Sequence, residues 1–451
     1  MLMPDFEGFY KRCEEARRLI ERMRSPLIVN HYDADGISSG ALVARALRMR
    51  GIQFRMKTVR KLAEKEMEEI AGEKELIFTD LGSSIAREAR EWKDRSVVMI
   101  DHHETDVNEP YNVNCNLFGF DGGRDASSAS TAYFVFRDPE LVELGIVGAV
   151  GDMQLPFRGL NSVMVEEGMR AGRVRREKDL TLFGRVSRAL VWFLQYSTEP
   201  YIPGLTGSQR NCALLLKELG IELKEGERWR KYHELSAEER VKFVSGLVAY
   251  MYHMEMDEQV IRSVVDDVYL FPHQPQGTEL SDANEFSTLL NACGRHNEPE
   301  VGVGVCLGDE KAYERARQLL QLHRRQLREG IEFASENVED FGAFYFVDGR
   351  GVIDDGIIGV VAGMLYGGKI RHTKPIIAIA LNAEGQIKVS GRATRRLVER
   401  GIDLGAMMRK ATEGFGTGGG HNIAAGAQIE PARINEFLLR CGELVSKQLL
   451  G

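Results

Sequence analysis

Short apolar runs alternate with amphipathic segments along the first third of the chain. Runs rich in Val, Ile and Phe predict buried strands, whereas apolar residues spaced three or four apart predict helices. The predicted strands lie at residues 26–30, 53–59, 75–80, 96–100 and 111–117. The predicted helices lie at residues 6–23, 41–50, 62–71 and 85–92. Regular alternation of strand and helix indicates an α/β fold in which a parallel sheet is flanked by helices.

Acidic and histidine side chains stand at the ends of several of these apolar runs. Because parallel strands end at the same edge of a sheet, groups at their carboxyl ends gather in one place. The residues concerned are His31, Asp33, Asp35, Asp80, Asp101, His102 and His103. Asp152 follows a further apolar run at residues 144–151 and adds one more carboxylate to the set. Alternate positions of an extended segment share one side, so His31, Asp33 and Asp35 are expected to point the same way. A helix-capping turn is the alternative, but a cap needs only one such residue.

Histidine and aspartate without cysteine form a donor set for divalent cations. Such a set favours Mn²⁺, or Mg²⁺ that keeps some of its water, over structural zinc. Two ions roughly 3.5–4 Å apart share a bridging carboxylate, activate a water and grip phosphoryl oxygens during in-line attack. We therefore expect two divalent metal ions, Mn²⁺ in preference to Mg²⁺, and hydrolysis of a phosphoester or phosphoanhydride.

The middle of the chain, residues 166–282, carries no catalytic motif, and its patterns mostly predict helices. A basic stretch at residues 170–188 is interpreted either as a solvated face or as a surface that follows nucleic-acid phosphates. The segment NACGR at residues 291–295 precedes a long charged helix predicted at residues 312–335. Arg295 is a candidate phosphate contact, with helix capping as the alternative.

The last part of the chain returns to strand and helix patterns, with strands predicted at residues 341–347, 374–380 and 387–394. A glycine-rich loop at residues 414–420 is predicted to lead into a helix, and His421 follows it directly. Consecutive glycines let backbone amides approach an anion closely. A flexible turn is the alternative, but it does not account for the histidine.

Composition narrows the class of protein further. The formal net charge of −8 argues against a nucleic-acid coat protein but leaves room for a local basic groove. The six cysteines include no CxxC pair, so we expect neither a disulfide scaffold nor a zinc knuckle. We expect the protein to work in a reducing cytoplasm. No apolar run reaches the length of a signal peptide or membrane span. We expect a cytoplasmic protein with no membrane partner.

Four motifs, in this order, resemble those of the DHH phosphoesterase superfamily. They are HYDADG at residues 31–36, FTDLG at 78–82, IDHHE at 100–104 and VGDM at 150–153. The resemblance implies metal ligands at His31 and Asp33 for one ion, and at Asp35, His102 and Asp152 for the other. It also implies that Asp80 bridges the ions and acts in catalysis. His103 would face the scissile phosphate as a catalytic group, and Asp101 would orient a histidine without binding metal.

The sequence GGGHNIAAGA at residues 418–427 resembles the signature of the DHHA1 domain, the usual partner of DHH domains. The resemblance implies that this domain binds substrate and faces the DHH domain across a cleft. Arg392 would clamp a phosphate oxygen and count among the catalytic residues. The implied substrate-binding residues are Ser390, Arg392, Gly418, Gly419, Gly420 and His421. The NACGR segment is similar to the corresponding segment of RecJ-type nucleases, which adds Arg295 to this set.

These observations predict a DHH domain at residues 1–168, a mostly helical insert and connecting helix at 169–335, and a DHHA1 domain at 336–451. The resemblance to archaeal RecJ-like nucleases implies a single-strand exonuclease that acts on DNA in replication and repair, from the 5′ end, with RNA left open. One alternative is a phosphoesterase for small molecules or oligoribonucleotides. The other is a non-catalytic replisome component. Expected partners are single-stranded nucleic acid and replicative helicase components such as GINS.

Overall fold

The computed structural model describes residues 4–197, 200, 202–254, 256, 258–367, 370–382 and 384–450. Two compact units are distinguished. The first comprises residues 1–190, 224–244 and 262–320, and the second comprises residues 191–223, 245–261 and 321–451. The predicted domain boundaries after residues 168 and 335 remain predictions. None of the described helices is both long and apolar enough to span a membrane.

The chain begins with a parallel sheet and its helices. The elements are α1 (Phe6–Ile20), β1 (Leu27–His31), α2 (Ala34–Met49), β2 (Arg55–Val59), α3 (Glu64–Glu69), β3 (Glu75–Thr79), β4 (Ser96–Asp101), β5 (Asn112–Asn114), α4 (Ser128–Phe136), α5 (Val142–Gly151) and α6 (Gly159–Arg170). The five strands are all parallel, in the order β2-β1-β3-β4-β5. This sheet confirms the predicted α/β fold.

Several predicted elements in this region are shorter than expected, and 3₁₀ turns take the place of part or all of two of them. The strand predicted at residues 111–117 ends at Asn114, whose side chain accepts a hydrogen bond from the Asn116 amide (3.0 Å) and turns the chain into a 3₁₀ helix. The helix predicted at residues 85–92 consists of two 3₁₀ turns, Ser83–Ile85 and Glu88–Glu91. Side-chain capping and short turns are local features that hydrophobic periodicity does not reveal.

Helix α2 runs through the interior of this unit, with residues 34–44 all buried. Its first turns are rich in Gly, Ser and Ala, and such small side chains let neighbouring backbones approach closely. At Gly40 an added Cβ would lie only 2.7 Å from the Asn30 Cβ on β1. The amino end of α2 is therefore held tightly against the carboxyl end of β1.

The middle of the chain is mostly helical, as predicted, but it also contains short strands. The elements are β6 (Arg175–Leu180), α7 (Leu190–Gln195), α8 (Gln209–Glu218), β7 (Lys224–Glu225), β8 (Arg228–Trp229), α9 (Ala237–His253), α10 (Glu258–Ser263), β9 (Val265–Leu270), α11 (Ala283–Arg295), α12 (Pro299–Cys306) and α13 (Glu310–Asn337). Strands β6 and β9 pair antiparallel, so part of the basic stretch at residues 170–188 is a strand.

A buried charge cluster ties β6 to the start of α11. The Arg185 guanidinium lies 3.2 Å from a carboxylate oxygen of Asp179 and 2.5 Å from one of Asp282, with all three side chains less than a tenth exposed. Glu285 lies in the first turn of α11 and accepts a hydrogen bond from the Val186 amide (2.8 Å). Arg185, within the basic stretch, thus serves an internal ion pair rather than a solvated or phosphate-binding face.

Glu285 makes the stability of this unit depend on pH. Burial, followed by the charge of Asp282, raises the pKa of Glu285 from its ordinary 4.5 to about 7. The folded state binds this proton more tightly than the unfolded state does. The contribution of protonated Glu285 to the free energy of unfolding is therefore complete below pH 4.5 and is lost as pH rises through 7. Glu285→Gln is neutral at every pH. In urea unfolding, we expect its stability relative to wild type to increase by about 2 kcal/mol between pH 5 and pH 8.

The control is Glu314→Gln, which changes an exposed glutamate on α13. Its stability relative to wild type should differ little between the two pH values. Unfolding curves of Glu285→Gln that keep a constant offset from wild type would show that Glu285 does not titrate in this range.

The last part of the chain forms a mixed six-stranded sheet with helices. The elements are β10 (Glu339–Asp340), β11 (Tyr345–Asp348), α14 (Ile358–Met364), β12 (Ile376–Leu381), β13 (Ile387–Arg392), α15 (Arg395–Glu399), α16 (Leu404–Ala411), β14 (Gly416–Gly420), β15 (Ala424–Ile429) and α17 (Ile434–Leu450). The strand order is β10-β11-β12-β13-β15-β14, and only β11 and β12 pair in parallel.

The glycine-rich segment is not a loop that leads into a helix, as the sequence predicted, but strand β14 in a hairpin with β15. Close packing explains its composition. A Cβ at Gly418 would lie 2.7 Å from the Met408 carbonyl oxygen on α16, and Gly420 has a φ of +127°. Larger residues would clash at the first position and be strained at the second. Part of the glycine run thus serves strand–helix contact, which periodicity alone does not reveal.

Candidate metal centre

The loop between β1 and α2 presents His31, Asp33 and Asp35. Asp33 is the N-cap of α2, and its carboxylate accepts a hydrogen bond from the Gly36 amide (3.0 Å). A Cβ at Gly36 would lie 2.5 Å from the His31 Cβ, so only glycine fits this turn. Helix capping, the alternative interpretation, is therefore correct for one oxygen of Asp33, while the other oxygen lies 3.1 Å from His31 Nδ1. The cap does not involve the side chains of His31 and Asp35.

Asp80 lies at the centre of the clustered side chains. It follows β3, is 3% exposed and has a φ of +60°, a conformation that is rare outside glycine. One of its carboxylate oxygens lies 3.1 Å from His31 Nδ1, and the other lies 3.3 Å from His102 Nε2. The Ser128 hydroxyl donates a hydrogen bond to the second oxygen (3.0 Å). Asp80 thus reaches two histidines with its two oxygens, the arrangement that a bridging carboxylate requires.

A second group of possible ligands forms around His102. Its Nε2 lies 3.2 Å from a carboxylate oxygen of Asp152, while its Nδ1 lies 2.6 Å from the Gly122 carbonyl oxygen. The buried Asp35 accepts hydrogen bonds from the backbone amides of Ser128 (2.7 Å) and Ala129 (3.0 Å) at the start of α4. The carbonyl contact fixes the ring of His102 and leaves Nε2 for a ligand role.

Two three-residue sets satisfy the distances that a metal ion needs. In each set the ligand atoms lie within 4.8 Å of one another, and the sets are His31, Asp33 and Asp80, and Asp35, His102 and Asp152. A further set comprises Asp80, Asp101, His102 and His103. The structure thus brings together all the metal-ligand candidates named from the sequence. Because the donors are carboxylates and imidazoles without thiolate, they fit Mn²⁺ or Mg²⁺.

The electrostatics of the cluster also fit a cationic ligand. Burial, followed by neighbouring carboxylates, raises the pKa of Asp35 well above its ordinary value, and burial raises the pKa of Asp152 to about 7. Burial alone would also raise the pKa of Asp80, but hydrogen bonds from His102 and His31 hold it below its ordinary value. Burial therefore disfavours the charged form of the Asp35 and Asp152 carboxyl groups, and positive charge beside them would offset that cost. Bound divalent cations would supply the missing positive charge.

His103 differs from the ligand candidates. Its side chain is 60% exposed, and its Nδ1 lies 2.8 Å from a carboxylate oxygen of the buried Asp101. The same oxygen accepts hydrogen bonds from the backbone amides of His102 (2.8 Å) and His103 (3.2 Å), while the other accepts one from the Ser83 amide (2.9 Å). The hydrogen bond with Asp101 raises the pKa of His103. Asp101 therefore orients an exposed, protonatable imidazole.

Asp101→Asn tests whether this aspartate positions His103 or binds metal itself. The carboxamide keeps only one acceptor oxygen and loses the negative charge that faces the His103 ring, so the hold on the orientation of His103 should weaken. We expect turnover to fall about 10- to 100-fold with metal content unchanged, as for residues that orient catalytic or ligating groups. Steady-state kinetics and elemental analysis of the purified variant measure both quantities. Loss of a bound ion would make Asp101 a ligand instead.

The remaining candidates occupy other parts of the structure. Ser390 and Arg392 lie on β13, Gly418–Gly420 lie on β14, and His421 follows β14, with its amide donating to the Ala424 carbonyl oxygen (2.9 Å). Arg295 is the last residue of α11. Within the second unit, β13 and β14 both pair with β15, so the substrate-binding candidates on these strands belong to one sheet. Their substrate-binding roles remain predictions.

Three residues that support the cluster were not foreseen from the sequence. Ser128 contacts Asp80 through its hydroxyl and Asp35 through its amide. The Asn291 carboxamide oxygen accepts a hydrogen bond from the Ala34 amide (3.0 Å) within residues 31–35, the candidate metal-binding segment or metal loop. Gln154 reaches the Asp152 carboxylate (3.3 Å). The serines at the start of α4 and the NACGR segment stood out in the sequence as polar, small-residue segments. The residues that they contact, however, are distant in sequence.

The first unit contains a parallel sheet with two sets of Asp and His side chains at its carboxyl edge, and the second unit contains a mixed sheet. This combination is typical of the DHH class of proteins. The chain belongs to the DHH/DHHA1 family, as the sequence motifs predicted. The family model of the DHH family, N-terminal domain, matches residues 26–143. The DHH-CID domain matches residues 182–265, and the DHHA1 domain matches residues 342–447. Members of this superfamily are generally phosphoesterases.

Two relatives extend the comparison in sequence. The uncharacterized protein MJ0831 of Methanocaldococcus jannaschii is 30% identical over 438 residues, covering 94% of this chain and 93% of the relative. The single-stranded-DNA-specific exonuclease RecJ of Salmonella typhimurium is 28% identical over 201 residues. That match covers 40% of this chain and 32% of RecJ, so the chain matches about a third of that enzyme's length.

Solved structures share the fold. A RecJ exonuclease bound to manganese is 16% identical, with a TM-score of 0.59 over 99% of this chain and 95% of that chain. CDC45 from Entamoeba histolytica is 12% identical, with a TM-score of 0.66 over 97% of this chain and 99% of that chain. At these identities the likeness concerns the fold alone.

Proposed function

We propose that this chain is a metal-dependent exonuclease that hydrolyses the phosphodiester bonds of single-stranded DNA from the 5′ end, in DNA replication and repair in the cytoplasm. The observation that carries the proposal is Asp80, whose two carboxylate oxygens reach the histidines of two separate ligand sets. A shared carboxylate between two ion sites is the arrangement that phosphoryl-transfer enzymes use. Sequence similarity to a single-stranded-DNA-specific exonuclease supports the choice of substrate. The 5′ direction is what the resemblance of the motifs to RecJ-type nucleases implies.

The proposed centre holds two divalent ions, Mn²⁺ in preference to Mg²⁺. RecJ structures with manganese and with magnesium support both choices. His31 and Asp33 would hold one ion, Asp35, His102 and Asp152 would hold the other, and Asp80 would serve both. When bound, the ions supply an activated water and positive charge next to the phosphoryl oxygens.

The chain's own residues do the remaining work. His103, oriented by Asp101, stabilises the scissile phosphate or donates a proton to the leaving oxygen. Arg392 offers a planar guanidinium, two N–H groups of which donate parallel hydrogen bonds to a phosphate. The further contacts with the strand are assigned to Ser390, Gly418, Gly419, Gly420, His421 and Arg295. A single strand suits such a site because its backbone is reachable and its bases are unpaired.

A non-catalytic replisome component is the second candidate, and the fold likeness to CDC45 favours it. That role does not require metal ligands, whereas every ligand candidate is present in this chain. Both candidates are compatible with binding to replicative helicase components such as GINS. Capture of purified GINS by the immobilised full-length chain tests that partnership, and lack of capture at micromolar concentrations would refute it.

A time course of strand shortening tests the proposed activity. The substrates are single-stranded DNA and RNA of about 30 nucleotides, labelled at either end and incubated with Mn²⁺, beside a dinucleotide. Stepwise loss of nucleotides from the 5′ end of DNA is expected, and the position of the label reports the direction. The RNA strand shows whether the activity extends to ribonucleotides.

The other outcomes point to different functions. Cleavage of the dinucleotide without shortening of the strands would favour a small-molecule phosphoesterase. Metal binding without cleavage of any substrate would favour the non-catalytic replisome role. Either result would overturn the exonuclease assignment.

A further inference from the structure

Met153 occupies a position that a helix terminus normally gives to glycine. It follows Asp152, the cap of α5, and has a φ of +55°. Its amide donates to the Val150 carbonyl oxygen (3.0 Å), and the Gln154 amide donates to the Ala149 carbonyl oxygen (3.1 Å). This pair of hydrogen bonds is typical of a helix that ends at a residue in the left-handed conformation. A side chain at that residue strains the backbone. The backbone at Met153 therefore favours glycine.

The side chain of Met153 contributes little to the described fold, since it is 87% exposed. A large apolar side chain gains nothing from water, and here it also stands in a strained conformation. The neighbouring residue is Asp152, a member of the second ligand set. The methionine thus projects into solvent one peptide away from the candidate metal centre.

The segment that carries Met153 is firmly anchored to that centre. The Gln154 carboxamide is buried, donates to the Gly122 carbonyl oxygen (2.9 Å) and accepts from the Asn161 side chain (2.6 Å). The same Gly122 oxygen lies 2.6 Å from the His102 ring. Both chain neighbours of the methionine are therefore fixed relative to His102 and Asp152. The backbone from which its side chain projects is therefore held directly beside the candidate metal centre.

We propose that Met153 is a substrate-specificity residue that packs against the nucleobase next to the scissile phosphate. The inference rests on the proposed nuclease function and adds a contact for the base. A thioether is flexible and polarisable, so it adapts to purines and pyrimidines alike. In a duplex both faces of each base are covered by stacking, whereas an unpaired base at a strand end offers a free face. The contact therefore favours single strands without selecting a sequence.

Met153→Gly tests this role without threatening the fold, because glycine suits the left-handed backbone. Its thermal unfolding midpoint should equal or exceed that of wild type. The assay compares kcat/KM on a single strand with kcat/KM on the same strand lacking the bases of its two 5′-terminal nucleotides. We expect about a three- to tenfold loss on the intact strand, as a sulfur–aromatic contact supplies, and no loss on the strand without those bases.

The matched control is Met49→Ala, which removes another exposed methionine, at the opposite end of α2 from the metal loop. The length of α2 places that residue about 22 Å along the helix axis from Ala34. This control should cleave both strands at the wild-type rate.

The outcomes separate the contact from the function on which it rests. A loss of equal size on both strands would mean that Met153 acts through the metal centre and not through a base. No loss on either strand would also overturn the inference, while the exonuclease assignment would stand. Failure of the wild-type protein to cleave either strand would overturn the proposed function, and the base contact with it.

Discussion

Asp80→Asn is expected to lower the rate of phosphodiester hydrolysis by roughly 10³-fold or more and to reduce the amount of bound metal. Asparagine keeps the size of the side chain and tolerates the left-handed backbone at φ +60° better than alanine does. It removes the negative charge and one of the two oxygens that reach His31 and His102. Elemental analysis after gel filtration and a cleavage time course with Mn²⁺ measure both effects.

A matched control for this variant is Asp94→Asn. Asp94 is exposed and forms an ion pair with Lys74 at the surface. Its replacement should leave the cleavage rate and metal content at wild-type levels, since exposed ion pairs contribute little. If Asp80→Asn cleaved within tenfold of wild type and bound the same amount of metal, Asp80 would not be the bridge. The two ligand sets would then have to act separately.

The comparison with Asp101→Asn distinguishes a ligand from an orienting residue. Both aspartates are buried, and both contact a histidine of the same motif. The carboxylate of Asp101 is fully engaged by backbone amides and the His103 ring, whereas Asp80 places each oxygen beside a different imidazole. A larger loss of metal from the Asp80 variant than from the Asp101 variant would support this division of roles.

The location of the metal cluster was predictable because it follows from one rule of parallel sheets. His31, Asp80 and His102 each lie just after or at the carboxyl end of a neighbouring strand, so the order of the strands alone brings them together. The α/β class was predictable for the same reason, since strand and helix patterns alternate regularly. Family resemblance then supplied the ligand roles, which geometry now makes plausible at hydrogen-bonding distances.

Contacts between distant segments were not predictable in the same way. Ser128 and Asn291 reach the metal loop at Asp35 and Ala34 from helices far along the chain. A single sequence does not show which polar residue will contact which loop. The prediction of a loop at the glycines of β14 was wrong because a run of small residues suits a loop, a turn or a tightly packed strand equally well. Only the antiparallel pairing with β15 decides among these possibilities.

Arg392→Ala is expected to slow turnover by about 10²- to 10³-fold while the metal content stays at the wild-type level. The loss follows from the proposed role of the guanidinium as a hydrogen-bond donor to phosphate. Metal content should persist because the clustered ligand candidates all belong to the first compact unit, whereas Arg392 belongs to the second. Loss of metal from this variant would refute the role assigned to Arg392.

The structure offers a subtler change that displaces Arg392 without removing it. Gly359, in the first turn of α14, lies against the guanidinium, and a Cβ there would stand 2.5 Å from its terminal nitrogen. Gly359→Ala should push the guanidinium aside while alanine strengthens the helix, so an activity loss would not reflect unfolding. We expect roughly a tenfold decrease in kcat/KM with unchanged metal content and an equal or higher melting temperature.

Gly363→Ala on the same helix provides the matched control. Its added Cβ would lie 3.9 Å from the Arg392 side chain, an ordinary contact distance that displaces nothing. Both variants replace a glycine of α14 by alanine. A difference between them therefore reports the displacement of the Arg392 guanidinium and of the Ser390 hydroxyl, which lies 3.2 Å from the Gly359 Cβ position. Equal activity of the two variants would mean that the position of Arg392 does not limit catalysis. A decrease confined to Gly359→Ala would tie turnover to a shift of about 1 Å in the side chains that face this helix.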